Sequence, residues 1–329
     1  MLVIESRPDN GLTVLVIIVN YNSGTLLQDA IAGIQKQTYR FWKLVVVDNA
    51  STDGSADLLE EMFPNTQVIR SPENVGFAAA NNLAVTTTPA ASWIALLNPD
   101  AVPHPRWLEE LVAATRTYPK CGSFSSRTIT AHNPDTIDGA GDVYHISGRY
   151  WRRGSGCRNS SKYAVNKEVF SACAAAALYN AKVWCKVGGM DEAFFCYGED
   201  VDLGFRMQLA GYRCMYIPEA LAVHHGSATT GRHSDFSTYH GHRNLVWTFV
   251  KNMPGALFWL FLPLHFLLNV STVGVFMARG QGRVILRAKW DAFKGLPKAW
   301  AERQRIQAQR EAKFNDIWRV LNKRVFFLS

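Results

Sequence analysis

Glu199, Asp200 and Asp202 stand within four positions of each other in FFCYGEDVDLGFRMQLAG, residues 194–211. A carboxylate within hydrogen-bond reach of a hydroxyl can remove its proton as a new bond forms, so this cluster is a candidate general base. Acids also suit a helix N-terminus, where free N–H groups and the helix dipole favour anions. The remainder, DLGFRMQLAG, reads as a helix with Leu203 and Met207 inward, closed by Gly211. Helix capping accounts well for one or two of the acids and poorly for the third, which the local sequence leaves open. Upstream, polar residues end the apolar runs: Asn20 after VLVIIV, Asp48 after KLVVV, Asn74 shortly after TQVIR, and Asn98-Pro-Asp100 after SWIALL. Any one of them serves equally well as a cap or turn residue. Four at successive strand ends point to a binding crevice, because ligands of open α/β sheets lie outside the carboxyl ends of the strands.

The elements that must position these residues alternate over residues 12–118. The runs at 12–19, 43–48, 66–70 and 92–98 are read as strands, and helices are expected over 25–37, 54–62, from about Phe77, and over 105–118. Such β-α repetition predicts an α/β fold with a Rossmann-like, mostly parallel central sheet. Residues 126–170 are rich in Gly, Ser, Asn and Arg, and DVYHISGRYW is expected to form a hairpin. SACAAAALYN (171–180) is alanine-rich enough for a helix, yet its position after a glycine-rich loop favours a buried strand. NYNSGT after the first strand holds one glycine, so the dinucleotide fingerprint G-x-G-x-x-G is absent, as is a Walker loop. A dehydrogenase is thereby disfavoured.

With 48% hydrophobic and 19% charged residues, the chain is globular. Its net charge of +8 is uneven: residues 279–329 hold 13 Lys/Arg against 4 Asp/Glu, and the rest is close to neutral. A basic tail on a neutral body argues against a general nucleic-acid-binding surface, and no nucleic-acid partner is expected. The six cysteines form no C-x-x-C pair, so they are read as reduced thiols of a cytosolic protein. MLVIESRPDNG lacks the apolar core of a signal peptide, and secretion is not expected.

Taken in order, VIIVNYNSGTLLQDAIAGIQKQT, VVVDNASTDGS, ENVGFAAANN, LLNPDAVPHPRWLEEL, VGGMDEAFFCYGEDVDLGFRMQLAGYRCMYIPEALAVHHGSATT and HRN resemble family 2 inverting glycosyltransferases of the GT-A fold. The likeness is greatest to bacterial rhamnosyltransferase-like members that build O-antigen, other surface polysaccharides or cell-wall linkers. The resemblance covers residues 12–250 and implies a glycosyltransferase domain at 1–250. It implies that Asp48 contacts the nucleoside of a nucleotide-sugar, with Asn20 and Asn74 nearby. Asn98 and Asp100 then take the place of the family's D-x-D, with Asp100 holding Mg²⁺ or Mn²⁺ against the diphosphate, completed by His224 or its neighbour His225. Asn98, uncharged, departs from that pattern and leaves Asp100 the one sure carboxylate ligand. Asp200 is implied as the base and Glu199 as an acceptor-binding or orienting residue, while Asp202 is more suited to capping or a basic partner.

Processive relatives carry Q-x-x-R-W. Here His240 and Asn244 replace the glutamine and tryptophan around Arg243, so addition of a single sugar is expected. Arg243 either faces the diphosphate or lies on a helix surface. Arg149, Arg152 and Arg153 are expected on a loop, either solvated, which is favoured, or approaching an acidic acceptor. The donor suggested by the resemblance is dTDP-rhamnose, with UDP-galactofuranose or a UDP-hexose as alternatives and a non-catalytic sugar-nucleotide-binding scaffold disfavoured by the presence of Asp100 and Asp200. The acceptor would be a polyprenyl-diphosphate-linked or other lipid-linked glycan.

Residues 252–278 contain no Asp, Glu, Lys or Arg. A membrane span needs about 20 apolar residues, but Pro254, Pro263, His265 and Asn269 interrupt this one. A helical pair or re-entrant element in the bilayer interface is therefore expected, with a single span or a buried core helix as alternatives. Together with the basic, Trp-bearing tail it makes 251–329 a membrane-association region. It would bind anionic lipid, peripherally or monotopically, at the cytoplasmic face of the inner membrane.

Overall fold

The computed structural model describes residues 13–88, 91–226 and 234–324. The start of the chain and the SATT stretch of the histidine motif (227–230) lie outside the described residues. The first half runs β1 (Val14–Asn20), α1 (Leu26–Gln35), β2 (Trp42–Asp48), α2 (Leu59–Met62), β3 (Thr66–Arg70), α3 (Gly76–Thr87), β4 (Trp93–Leu97), β5 (Ala101–Pro103) and α4 (Trp107–Thr117). Next come β6 (Cys121–Thr130), β7 (Asn133–Gly139), β8 (Asp142–Tyr144), β9 (Tyr150–Arg152), β10 (Lys167–Val169), β11 (Ala176–Asn180), α5 (Ala181–Val187), α6 (Glu199–Leu209) and β12 (Arg213–His224). Five helices close the described chain: α7 (Asp235–Asn252), α8 (Gly255–Ala278), α9 (Gly282–Lys294), α10 (Leu296–Ala308) and α11 (Phe314–Val320).

Among the described residues, ten strands form one sheet in the order β10-β12-β6-β11-β4-β1-β2-β3, with β5 pairing β12 and β7 pairing β6, while β8 and β9 form a separate two-stranded sheet. From β4 to β3 all pairs are parallel, as is β6 with β12, whereas β11 enters antiparallel between β4 and β6. The continuous apolar runs follow from burial on both faces. Leu15, Ile17 and Val19 pack toward α3, while Val14, Val16 and Ile18 pack toward α1 and α4. The expected hairpin is present as β8–β9. The alanine-rich segment is a buried strand over Ala176–Asn180, so tertiary placement overrides helix propensity there. The helix expected over 54–62 shrinks to Leu59–Met62, because Leu58 adopts a left-handed conformation and interrupts it.

The C-terminal helices share a core with the body: Val201, Phe205 and Leu209 of α6 cluster with Ile306, Ile317 and Leu321. Residues 255–278 form one continuous helix rather than the expected pair or re-entrant element, with Pro263 accommodated inside it. It is not a core helix either, since only Leu257, Phe258 and His265 are buried, while Phe266 is 70% exposed. His265 and Asn269, the residues that made a span look poor, face inward. His265 Nδ1 donates to the Ser147 carbonyl (2.8 Å), and Lys289 of α9 donates to Asn269 Oδ1 (2.6 Å).

Candidate active site

Asn20 and Asp48 are register partners at the ends of β1 and β2. The Asn20 amide donates to Asp48 Oδ1 (3.1 Å), Ser51 Oγ (2.9 Å) and Ser55 Oγ (2.9 Å), which fixes both polar groups at the strand ends. The adjoining Asn49, a residue the sequence reading did not single out, donates to Asn74 Oδ1 (2.8 Å) and accepts from Val75 N–H (2.9 Å). Asn74 Oδ1 also accepts from Gly76 N–H at the start of α3 (3.0 Å). Asn20, Asp48 and Asn74 are thus assembled along one rim, with Asn49 as the joint between them.

Asn98 and Asp100 follow β4. Because β5 pairs β12 with His224 opposite Ala101, His224 is delivered to Asp100, its Nε2 3.1 Å from Oδ1. His224 is buried and His225 exposed, so His224 is the histidine that faces the carboxylate. Asn98 Nδ2 lies 3.4 Å from the same ring nitrogen. Behind the imidazole, His224 Nδ1 donates to Asp138 Oδ2 (2.8 Å), which also accepts from Thr128 Oγ1 (3.0 Å) and Arg152 (2.9 Å). Burial would raise the Asp138 pKa, but His224 and Arg152 hold it well below the carboxylate range. Burial would lower that of His224, and its bonds to Asp100 and Asp138 raise it instead.

A carboxylate beside an imidazole whose far nitrogen is pinned by a second carboxylate suits a divalent cation, the pinned Nδ1–H leaving Nε2 as the ligand. Among the described residues no group of three His, Cys, Asp or Glu side chains forms a complete cage. Substrate oxygens and water would have to supply the other positions. Arg152, expected on a solvated loop, lies on β9 within this site.

Glu199 and Asp200 open α6 behind the left-handed Gly198. Asp200 accepts from Ala174 N–H (3.1 Å) and from its neighbour Val201 N–H (2.8 Å). One residue along, the Ala175 carbonyl accepts from Asn98 N–H (2.9 Å). A dipeptide of backbone therefore joins the Asn98–Asp100 turn to the Asp200 carboxylate. Burial raises the Asp200 pKa, opposed by the Ala174 N–H and Arg152. Burial and the Asp200 charge push Glu199 well up, and its Oε2 is buried without a partner.

Asp202 is turned away from this site. It receives Arg206 Nε (2.8 Å), Lys251 Nζ (2.9 Å) and the Asn252 amide (2.7 Å), the basic partners its sequence context suggested. Arg243 donates to the carbonyls of Ala193 (3.0 Å) and Phe194 (2.9 Å) and lies over the Trp247 ring.

The family model described as glycosyl transferase family 2 matches residues 15–181, half of the chain. The chain belongs to glycosyl transferase family 2. This glycosyltransferase is 26% identical over 239 residues to the N-acetylglucosaminyl-diphospho-decaprenol L-rhamnosyltransferase of Mycobacterium tuberculosis, covering 66% of this chain and 77% of that one. It is 25% identical to the O-antigen chain rhamnosyltransferase WbaN of Salmonella anatum, covering 68% and 69%. Among solved structures, the mannosyltransferase PcManGT from Pyrobaculum calidifontis, in complex with GDP-Man and Mn²⁺, superposes with a TM-score of 0.54 at 20% identity, covering 90% and 84%. GalNAc-T7 with UDP, GalNAc and Mn²⁺ gives 0.59 at 16% identity, covering 73% of this chain and 48% of that one. The fold of this family 2 enzyme is therefore GT-A.

Proposed function

We propose that the enzyme is an inverting, non-processive glycosyltransferase that moves one sugar, rhamnose from dTDP-rhamnose as the leading donor, onto a lipid-linked glycan. What supports this most is the dipeptide Ala174–Ala175, which binds Asp200 by one backbone group and Asn98 by the other. It sets a base beside the place where a diphosphate would be held. The rhamnosyltransferase relatives, one acting on a decaprenol diphosphate, support the donor and the lipid-linked acceptor.

In this reading Asp48, Asn20 and Asn74 hold the nucleoside, while Asn98 and Asp100 face the diphosphate. Asp100 and His224 would hold Mg²⁺ or Mn²⁺, which supplies positive charge to the departing diphosphate. Asp200 accepts the acceptor hydroxyl proton as the acceptor oxygen bonds to the anomeric carbon and the carbon–diphosphate bond breaks from the opposite face. The electron pair leaves with the diphosphate. A carboxylate whose pKa is raised by burial is a stronger base than a free one, as this step needs. Residues 1–250 act as the catalytic unit. Residues 251–329 lie on an anionic membrane at the cytoplasmic face through the exposed apolar side of α8 and through Trp290 and Phe293 of α9.

The test is to incubate membranes carrying the full chain with dTDP-rhamnose, UDP-galactofuranose and UDP-hexoses, with Mn²⁺ or EDTA, and to measure nucleotide release. Release from dTDP-rhamnose that EDTA abolishes is expected. Release untouched by chelation removes the metal assignment, and release only from a UDP-sugar replaces the donor.

A further inference from the structure

The turn that presents the base, residues 194–198, is under backbone strain. Phe195 and Tyr197 adopt positive φ (65° and 67°), and Cys196 N–H closes a three-residue turn onto the Phe194 carbonyl (2.8 Å). Such conformations are sparsely populated and persist only where surrounding contacts over-determine them. On α7 the rings of Phe236 and His240 pack on Phe195, and one residue pair, Arg243 and Asn244, bonds a run of the turn's carbonyls. The amide of Asn244, fully buried, points at the carbonyls of Phe194 (3.0 Å), Cys196 (2.9 Å) and Tyr197 (2.8 Å). Arg243 takes Ala193 and Phe194 and donates Nε to Asn244 Oδ1 (3.0 Å), so the amide can present only its N–H side to the turn. On its other side the turn touches the nucleoside rim. The Phe195 carbonyl accepts from Ala78 N–H (3.2 Å), and the Phe195 ring packs on Gly76, where an added Cβ would come within 2.6 Å.

We propose that Asn244, braced by Arg243, is a positioning residue for Asp200. It latches the strained turn and thereby sets the start of α6 against both Ala174 and the nucleoside rim. The latch rests on the proposed role of Asp200 as base. It also gives Arg243 a task on protein carbonyls in place of the diphosphate. Lys251 and Asn252, two turns further along α7, hold Asp202 on the same helix, so α7 splints the base segment at two points.

The experiment uses the full chain in membranes, comparing wild type, Asn244→Ala, Arg243→Lys and Asp200→Asn. It reads kcat for nucleotide release from the donor that wild type uses, and binding of dTDP and UDP by calorimetry. A misplacement near 1 Å lowers kcat by about 10²-fold, which is the loss expected for Asn244→Ala, with a smaller loss for Arg243→Lys and nucleotide affinity unchanged in both. Asn244→Ala with near-wild-type kcat, or affinity falling in step with kcat in either variant, overturns the proposal. If Asn244→Ala does not fold, Arg243→Lys decides by the same split. Asp200→Asn retaining transfer would remove the base assignment itself, whereas an inactive Asp200→Asn beside an active Asn244→Ala removes only the latch.

Discussion

Asp200 and Asp202, two positions apart, should respond oppositely to the same Asp→Asn change. Asp202 is fully buried. Burial alone would raise its pKa, but Lys251 and Arg206 bring it from 3.8 down to about 2. That difference corresponds to about 2–3 kcal/mol of native-state stabilisation. Breaking a buried pair by removing one partner costs about 3–5 kcal/mol. The lower end applies here, because Lys251 keeps Asp191 and Arg206 keeps the Val187 carbonyl. A loss near 3 kcal/mol lowers the melting temperature by roughly 4 °C in a chain of 329 residues, at about 2 cal/mol/K of unfolding entropy per residue. The sign follows from the depressed folded pKa. The stabilisation is complete above the unfolded value near 4 and fades as pH falls toward about 2, so the gap between wild type and Asp202→Asn narrows over that interval.

Asp200 carries the reverse burden, a pKa raised by burial, so Asp200→Asn should melt no lower than wild type at neutral pH. Its transfer rate should instead fall by about 10²–10⁴-fold. Thermal unfolding and nucleotide release, both measured on each variant, decide the matter. Asp202→Asn that melts normally but is inactive, or Asp200→Asn that is active, would refute the division of roles.

Further outcomes are expected elsewhere. Asp138→Asn should weaken Mn²⁺ binding, followed by electron paramagnetic resonance, by about 10–100-fold, because the His224 ring loses its orienting partner. Gly198→Ala should lose most of its transfer activity in the same release assay. Gly198 caps α6 at φ 87° with Tyr150 Oη against it, and a Cβ there would force the start of the helix that carries Asp200 to move. Trp290 and Phe293 are 60% and 62% exposed on the outer side of α9. Replacing both with Glu should reduce co-sedimentation with anionic vesicles by about 10²-fold or more, since each large apolar side chain contributes about 1.5–3 kcal/mol of burial.

Legibility varied with the range of the interaction. Asn20, Asp48 and Asn98 announced themselves because a polar residue ending an apolar run is a local signal, and the sheet then brings the strand ends together. Asp138 carried no such signal. DTIDGAGD reads as a loop, and its importance lies in a contact with His224 that the sequence leaves 86 positions away. Asn244 was visible only as a departure from a tryptophan, since nothing nearby shows that its amide meets three carbonyls of another segment. The histidine register was settled by burial, which strand pairing decides. The apolar segment 252–278, most of which is α8, was misjudged for a related reason. His265 and Asn269 look like faults in an apolar run until their partners, Ser147 and Lys289, are in place.

The meeting of Asp100 and His224 depends on β5, three residues long, finding the far end of β12 after the whole of β6 to α6 has been threaded between them. Bringing together two segments so far apart in sequence carries a loop-closure entropy that grows slowly with the intervening length. A slip of one position along that short ladder would turn the imidazole to the opposite face. If Asp100 and His224 hold a divalent ion as proposed, affinity for that ion reports whether β5 and β12 have docked in register.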